Sequence, residues 1–540
     1  DSKNKPRGKE VTSTPRAGPS LESHEYPIIQ VLGLLTSYAC LVFVVGPVRV
    51  IVYGTPLALV CLIANQLGMM GTVLAKPSAL PWIVYCASET LFTLWYVHTK
   101  QRLARPKVFP PQIHHDQSFR RHAPPSVPLF FDNLLRHTPN VQTFVEEVAY
   151  TWFYHTPFDQ LTRPDLHTWL AYLLYSNEWR HLSPLDRRDV NQMVDRLYDL
   201  TNVREPPSQT SSKPTHCIRH TLDPFESTAR PWLVYAVTIG MDAIMGVFLR
   251  LAGFQRHPLT RGLRYWHRDA MTSPVAEPLV FVHGIGAGLM LYLPLLWSLV
   301  TTHQNRPILL VETPYVSMQL VEDVPSKKDT LVGLQAMLAN HDIQRAHWMG
   351  HSLGTAICSW VCQELPHTVS HATFIDPIVF FLWKRDVAYN FLYRPPTTGI
   401  QVLLWYFAST EVHIVHVMRR HFWWYSIVCF PEHLPRHPVT NHVAASVFLS
   451  SHDVIINALD VHEHLSTRDQ GSSKMEVVWW DGFTHGEMLL HSHALTSVTS
   501  NVKCRDVTNP IKHVAKWNWA DYIVNRLDLI RQQDVANTWW

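Results

Sequence analysis

Three residues far apart in the chain, Ser352, Asp453 and His485, are the types that nucleophilic catalysis requires. A serine hydroxyl is a poor nucleophile until a base takes its proton. Histidine is that base, and a carboxylate holds its tautomer and stabilises the imidazolium. Each of the three follows a strand-like run. Ser352 lies in Gly350-His351-Ser352-Leu353-Gly354, between an apolar run and a helix-like segment from Thr355 to Leu365. Strand, sharp turn and helix lift a serine Oγ clear of a sheet edge, and the close backbones call for Gly350 and Gly354. Asp453 follows the run 444–449, and His485 sits in Asp481-Gly-Phe-Thr-His-Gly486, after the run 475–480. The rival acid is Asp376, at the end of Phe374-Ile375. Asp453 is preferred, because it follows the penultimate strand and Pro377 gives Asp376 the simpler role of capping a turn. His491 and His493 are rivals to His485, but they fall within the next helical segment.

Acyl transfer also needs donors for a developing oxyanion, and one such donor contributes roughly 3–4 kcal/mol. One candidate is the N–H of Leu353. The other comes from His283-Gly284-Ile285-Gly286, where Ile285 is assigned and Gly286 is the alternative. Glycine-rich turns also cradle phosphate, but no Lys-Ser/Thr follows this one.

The elements that position these residues are buried-strand runs at 279–283, 308–312, 347–350, 372–375, 444–449 and 475–480. Helical segments such as 328–339 and 355–365 separate several of them. Continuous Val/Ile/Leu strands alternating with helices predict an α/β class with a mostly parallel sheet covered on both faces. Working groups then gather at the carboxyl ends of the strands.

Around this region the chain changes character several times. Residues 1–25 read as a disordered basic arm. Residues 26–100 hold three apolar runs, 28–48, 50–75 and 81–97, and read as membrane helices. Basic residues flank this block on both sides, which favours an even number of crossings with both ends cytosolic, the count staying open. The apolar region is too long for a secretory signal. Residues 101–225 read as a linker and a small helical region. Within it His181-x4-Asp186 matches an acyltransferase spacing but lies in a surface-like segment. Residues 226–260 read as an apolar helix, interfacial or packed on the next domain; 261–500 as the α/β domain; and 501–540 as a C-terminal helix. The formal net charge of +3 over 540 residues does not suggest nucleic acid. The 33 histidines and eight cysteines form no metal-ligand spacing and no disulfide framework, so no metal and no organic cofactor are implied.

The combination His283-Gly-x-Gly286, Gly350-His-Ser-Leu-Gly354, the Asp453 loop and Gly482-Phe-Thr-His-Gly486 resembles the α/β-hydrolase superfamily. The segments Ile375-Asp-Pro-Ile-Val379 and 386–394 further resemble membrane-anchored fungal α/β-hydrolases of undefined substrate. The resemblance implies Ser352 as nucleophile, His485 as base, Asp453 as acid, and Leu353 with Ile285 as oxyanion donors. It also implies a helical cap over 377–440, a segment rich in aromatics (Phe380, Phe381, Trp383, Trp405, Phe407, Trp423, Trp424). The expected activity is a membrane-anchored serine esterase or lipase-like hydrolase of lipophilic acyl esters or thioesters. The alternatives are an acyltransferase using the same triad and a non-catalytic membrane scaffold. The expected partners are membrane lipids and a lipophilic acyl substrate. The expected location is an intracellular membrane, the endoplasmic reticulum being a candidate, with the hydrolase domain cytosolic.

Overall fold

A computed structural model describes residues 27–66, 79–105, 135, 140–203, 215–273, 275–437, 439–467 and 475–503. The expected basic arm, most of the 105–128 linker, the polar loop up to 214 and the C-terminal helix beyond Lys503 lie outside the described residues.

One eight-stranded sheet organises the chain. Its strands are β1 (Gln255–Pro258), β2 (Arg264–Arg268), β3 (Leu279–Val282), β4 (Ile308–Glu312), β5 (Ala346–His351), β6 (Val369–Ile375), β7 (Ala445–Ser450) and β8 (Glu476–Trp480). The spatial order is β1-β2-β4-β3-β5-β6-β7-β8. Strands β3 to β8 run parallel, and β1 and β2 add an antiparallel edge against β4. This is an α/β-hydrolase-like arrangement of a mostly parallel sheet clothed by helices.

The period of two along a strand explains why both faces are covered. In β3, Val280 and Val282 join one apolar cluster and Leu279 and Phe281 the other; in β4, Leu309 and Val311 part from Ile308 and Leu310 in the same way. One face is packed by helices Leu293–Thr302, Ser492–Lys503 and the inner side of Trp232–Leu251. The opposite face is packed by helices Lys327–Asn340 and Gly354–Glu364. Helices Val141–Trp152, Arg163–Tyr175 and Pro184–Thr201, foreseen as a small region beside a linker, share this second core. The Trp152 indole donates to the Trp383 carbonyl at 2.8 Å, and the Trp424 indole to the Leu173 carbonyl at 2.7 Å. The 377–440 segment carries four short helices, Asp386–Leu392, Gly399–Leu404, Val412–Arg420 and Trp424–Ile427. Its Phe380, Trp383 and Trp424 are buried and packed into the main core.

Among the described residues, two helices are long and apolar enough to cross a membrane by length and composition: 33–66, a 34-residue stretch, and Trp232–Leu251, of 20 residues. The first is continuous from α-helix through a π-turn at Leu41–Val45. A third apolar helix, Ala79–Leu103, packs against Gly46–Gln66. All three expose large apolar side chains, among them Leu35, Phe43, Leu57, Trp82, Leu94 and Val237. The helix Trp232–Leu251 keeps Tyr235, Met245 and Leu249 inward and Leu233, Val237 and Ile244 outward, so it packs on the sheet and also presents an apolar outer face.

Candidate active site

The nucleophile turn is built by close packing. Ser352 has φ 51°, a left-handed value that a non-glycine residue rarely adopts. Its N–H donates to the Ile375 carbonyl at 3.0 Å, tying the turn to the end of β6. A Cβ on Gly354 would lie 2.3 Å from the Val282 carbonyl oxygen, and one on Gly284 would lie 2.8 Å from Ser352 Cβ. Only bare backbone lets β3, β5 and the following helix meet here.

The structure brings Ser352, His485 and Asp453 together. His485 Nε2 is 2.8 Å from Ser352 Oγ, and His485 Nδ1 is 2.6 Å from Asp453 Oδ2. The second carboxylate oxygen of Asp453 accepts the N–H groups of Ile455 and Ile456 at 2.7 and 3.0 Å, which fix its orientation. Burial disfavours the charged imidazole of His485, but the Asp453 charge, its hydrogen bond and Asp376 outweigh burial and raise its pKa. The other two histidines do not approach the serine: His491 lies 3.7 Å from Glu487, and His493 packs edge-on against Trp480. Asp186 caps the helix Pro184–Thr201 with Ser183, and His181 sits beside Glu178.

Asp376 occupies a different place from Asp453. It is fully buried at φ 41° and accepts three hydrogen bonds: Ser450 N–H at 2.9 Å, Ser450 Oγ–H at 3.1 Å and Gly486 N–H at 2.7 Å. It thereby braces the end of β7 and the residue after His485. Burial and the nearby Asp453 charge push its carboxyl up to about 7, while His485 and the backbone donors oppose them.

The oxyanion candidates separate clearly. Gly286 N–H donates to the Val316 carbonyl at 3.1 Å. The N–H groups of Ile285 and Leu353 have no backbone acceptor among the described residues.

Tyr292 went unnoticed in the sequence and ties this turn to the elbow. Its hydroxyl accepts Gly284 N–H at 2.8 Å and is hydrogen-bonded to His351 Nδ1 at 2.7 Å. His351 Nε2 is buried and has no hydrogen-bond partner among the described residues. Burial, with His485 and His283 nearby, holds its pKa well below the usual value. His283 Nε2 accepts Thr313 N–H at 3.0 Å, which leaves Nδ1–H to donate to the Gly284 carbonyl at 2.8 Å. Both sides of the turn before Ile285 are thus fixed. No sequence signal marks Tyr292 beyond an aromatic in an apolar run.

A cavity of about 50 Å³ lies behind the oxyanion turn, lined by His283, Tyr315, Leu353, Ile357, Trp360 and Phe422 among others. Ser352 itself is only 7% exposed.

No protein-family model matches the chain, and no curated protein matches it. Solved structures similar to it include a membrane phospholipase A described as a bacterial virulence factor (14% identity, 51% of this chain and 94% of that one, TM-score 0.36). They include the naproxen esterase (carboxylesterase NP) of Bacillus subtilis (14% identity, 50% and 96%, TM-score 0.35). A carboxylesterase structure from the thaumarchaeon Nitrososphaera gargenis is also similar (13% identity, 46% and 97%, TM-score 0.31). Each matches about half of this chain. At these TM-scores the description of the fold rests on strand order and turn geometry.

Proposed function

We propose that the chain is a membrane-anchored serine hydrolase that cleaves carboxylic esters or thioesters of lipophilic acyl groups. The observation that carries this reading is the chain of short contacts from Ser352 Oγ through His485 to Asp453. In the proposed cycle, His485 takes the serine proton as Oγ attacks the acyl carbonyl. The imidazolium then protonates the leaving alcohol or thiol. Water, deprotonated by the same histidine, releases the acid from the acyl-serine. Leu353 and Ile285 N–H groups take the oxyanion in both steps. The outward apolar faces of 33–66, Ala79–Leu103 and Trp232–Leu251 support anchorage, because exposed apolar area on this scale is unfavourable in water. The apolar lining beside Leu353 supports a lipophilic acyl group. The cavity there, of about 50 Å³, is well below the roughly 300–1,000 Å³ of small-molecule sites.

The test is a time course with a p-nitrophenyl acyl ester, quenched and mapped by mass spectrometry. The reading expects a release burst and an acyl adduct on the peptide containing Ser352, both lost in Ser352→Ala. Turnover that persists undiminished in Ser352→Ala would overturn it.

A further inference from the structure

A second cluster of chemically active side chains lies on the antiparallel edge of the sheet. The register pairs Gln255 with His267 and His257 with Tyr265, so His257, Tyr265 and His267 share one face of the β1–β2 hairpin. Against that face comes His341, the residue that ends helix Lys327–Asn340. The His267 and His341 rings stack with centroids 3.6 Å apart, and His257 meets His341 edge-on at 5.5 Å. One ring nitrogen from each of the three lies within 4.8 Å of the others.

We propose that His257, His267 and His341 bind one divalent transition-metal ion, zinc being the best match, which pins the β1–β2 hairpin to the end of helix Lys327–Asn340. Three features of the cluster carry this. First, the donors are all imidazoles, a set that selects zinc, cobalt or nickel over magnesium or calcium, which prefer oxygen ligands. Secondly, the closure needed is small. A tetrahedral ion with bonds of about 2.0–2.1 Å wants its ligand nitrogens about 3.3 Å apart, against the 4.8 Å within which they lie, so binding must turn His267 and His341 out of their present stack. Thirdly, the cluster holds an unsatisfied atom. His257 Nε2 is buried and has no hydrogen-bond partner. The surroundings also suit a bound cation. The Tyr265 hydroxyl lies 3.0 Å from His341 Nε2 and orients that ring, as outer contacts do for metal-bound imidazoles. Asp269, 90% exposed, lies 3.5 Å from His267 Nε2 and is free to turn in as a fourth ligand in place of water.

The site is separate from the serine. Three to four inter-strand spacings separate β2 and β1 from β5, about 14–19 Å across the sheet at roughly 4.8 Å per spacing. Its expected role is therefore stabilisation of the edge, with no part in acyl chemistry.

The test uses the full chain purified in detergent and stripped with a chelator. It is titrated with Zn²⁺ and with Co²⁺, whose visible absorption reports coordination geometry. The proposal expects one tight equivalent, an intense tetrahedral Co²⁺ spectrum, and a rise in Tm on adding Zn²⁺. In His257→Ala and in His341→Ala, both at partly exposed positions, affinity should fall at least about 100-fold and the Tm rise should vanish. The control His493→Ala should bind as the native chain does. His267→Gln reports on the buried ligand, and circular dichroism of the stripped proteins checks that each variant is folded. Binding that survives in folded His257→Ala and His341→Ala, or a weak octahedral Co²⁺ spectrum in the native chain, would overturn the proposal.

Discussion

Replacing Asp376 by asparagine separates the two carboxylates near His485. In the native site Asp376 accepts Ser450 N–H through one oxygen, and Ser450 Oγ–H and Gly486 N–H through the other. An amide has one acceptor oxygen. Whichever way it is turned, its NH₂ faces a backbone N–H that it cannot satisfy. A buried donor left without a partner costs about 1–3 kcal/mol. If that cost falls on the brace at Gly486, turnover drops by about 5- to 160-fold, at 1.36 kcal/mol per factor of ten. The pH profile moves as well. Asp376 helps to raise the His485 pKa, so its neutralisation lowers that pKa and shifts the acid limb of kcat/KM to lower pH. Asp453→Asn should be far worse, about 10⁴-fold, because the imidazole then loses its anionic partner and its tautomer. The assay is steady-state ester hydrolysis by both variants across pH, with Tm recorded for each. A loss in Asp376→Asn equal to or greater than that in Asp453→Asn would refute the assignment and make Asp376 the acid.

Three further outcomes follow from the same geometry. For the native enzyme, kcat/KM should rise with pH through a limb above the ordinary histidine value of 6.5 and then level off. The base must be neutral to work, and its folded pKa is raised because the Asp453 charge outweighs burial; a limb at or below 6.5 contradicts this. Tyr292→Phe removes the hydroxyl between Gly284 N–H and His351 Nδ1. At about 1–3 kcal/mol and about 2–4 °C per kcal/mol, Tm should fall by about 2–12 °C, with kcat lowered more than KM is raised, and an unchanged Tm would show the link to be idle. Alkaline carbonate should leave the chain in the membrane pellet and detergent should release it; recovery in the carbonate supernatant would show that the apolar faces around Phe43, Leu57 and Val237 face another protein surface instead of lipid.

The inner strands β3 to β7 were legible because parallel strands buried on both faces read as unbroken apolar runs. The antiparallel edge was not. Gln255-Arg-His-Pro258 and Arg264-Tyr-Trp-His-Arg268 carry charge and a proline, and their cohesion comes from tertiary partners. Glu312, at the end of β4, pairs with Arg256 at 2.8 Å and Arg264 at 3.2 Å and accepts the Trp266 indole at 2.9 Å. The same blindness hid the three histidines, which no local spacing relates and only the hairpin register and a helix end bring together. At the candidate site, residue types and chain order pointed to Ser352, Asp453 and His485. What separates Ile285 from Gly286 is a long-range carbonyl, Val316, which accepts Gly286 N–H and which sequence cannot reveal. Tyr292 likewise matters only through where its hydroxyl points. In the 377–440 segment the aromatic content was legible, and with it the packing of most of these side chains to the core, where Phe380, Trp383 and Trp424 are buried.

Labelling with a fluorophosphonate probe tests the central claim most directly, since the probe reacts only with a serine whose proton a base removes. Membranes bearing the native chain should label at Ser352, with labelling lost in Ser352→Ala and strongly slowed in His485→Ala. A folded native chain that stays unlabelled, in membranes and in detergent alike, would contradict a catalytic Ser352.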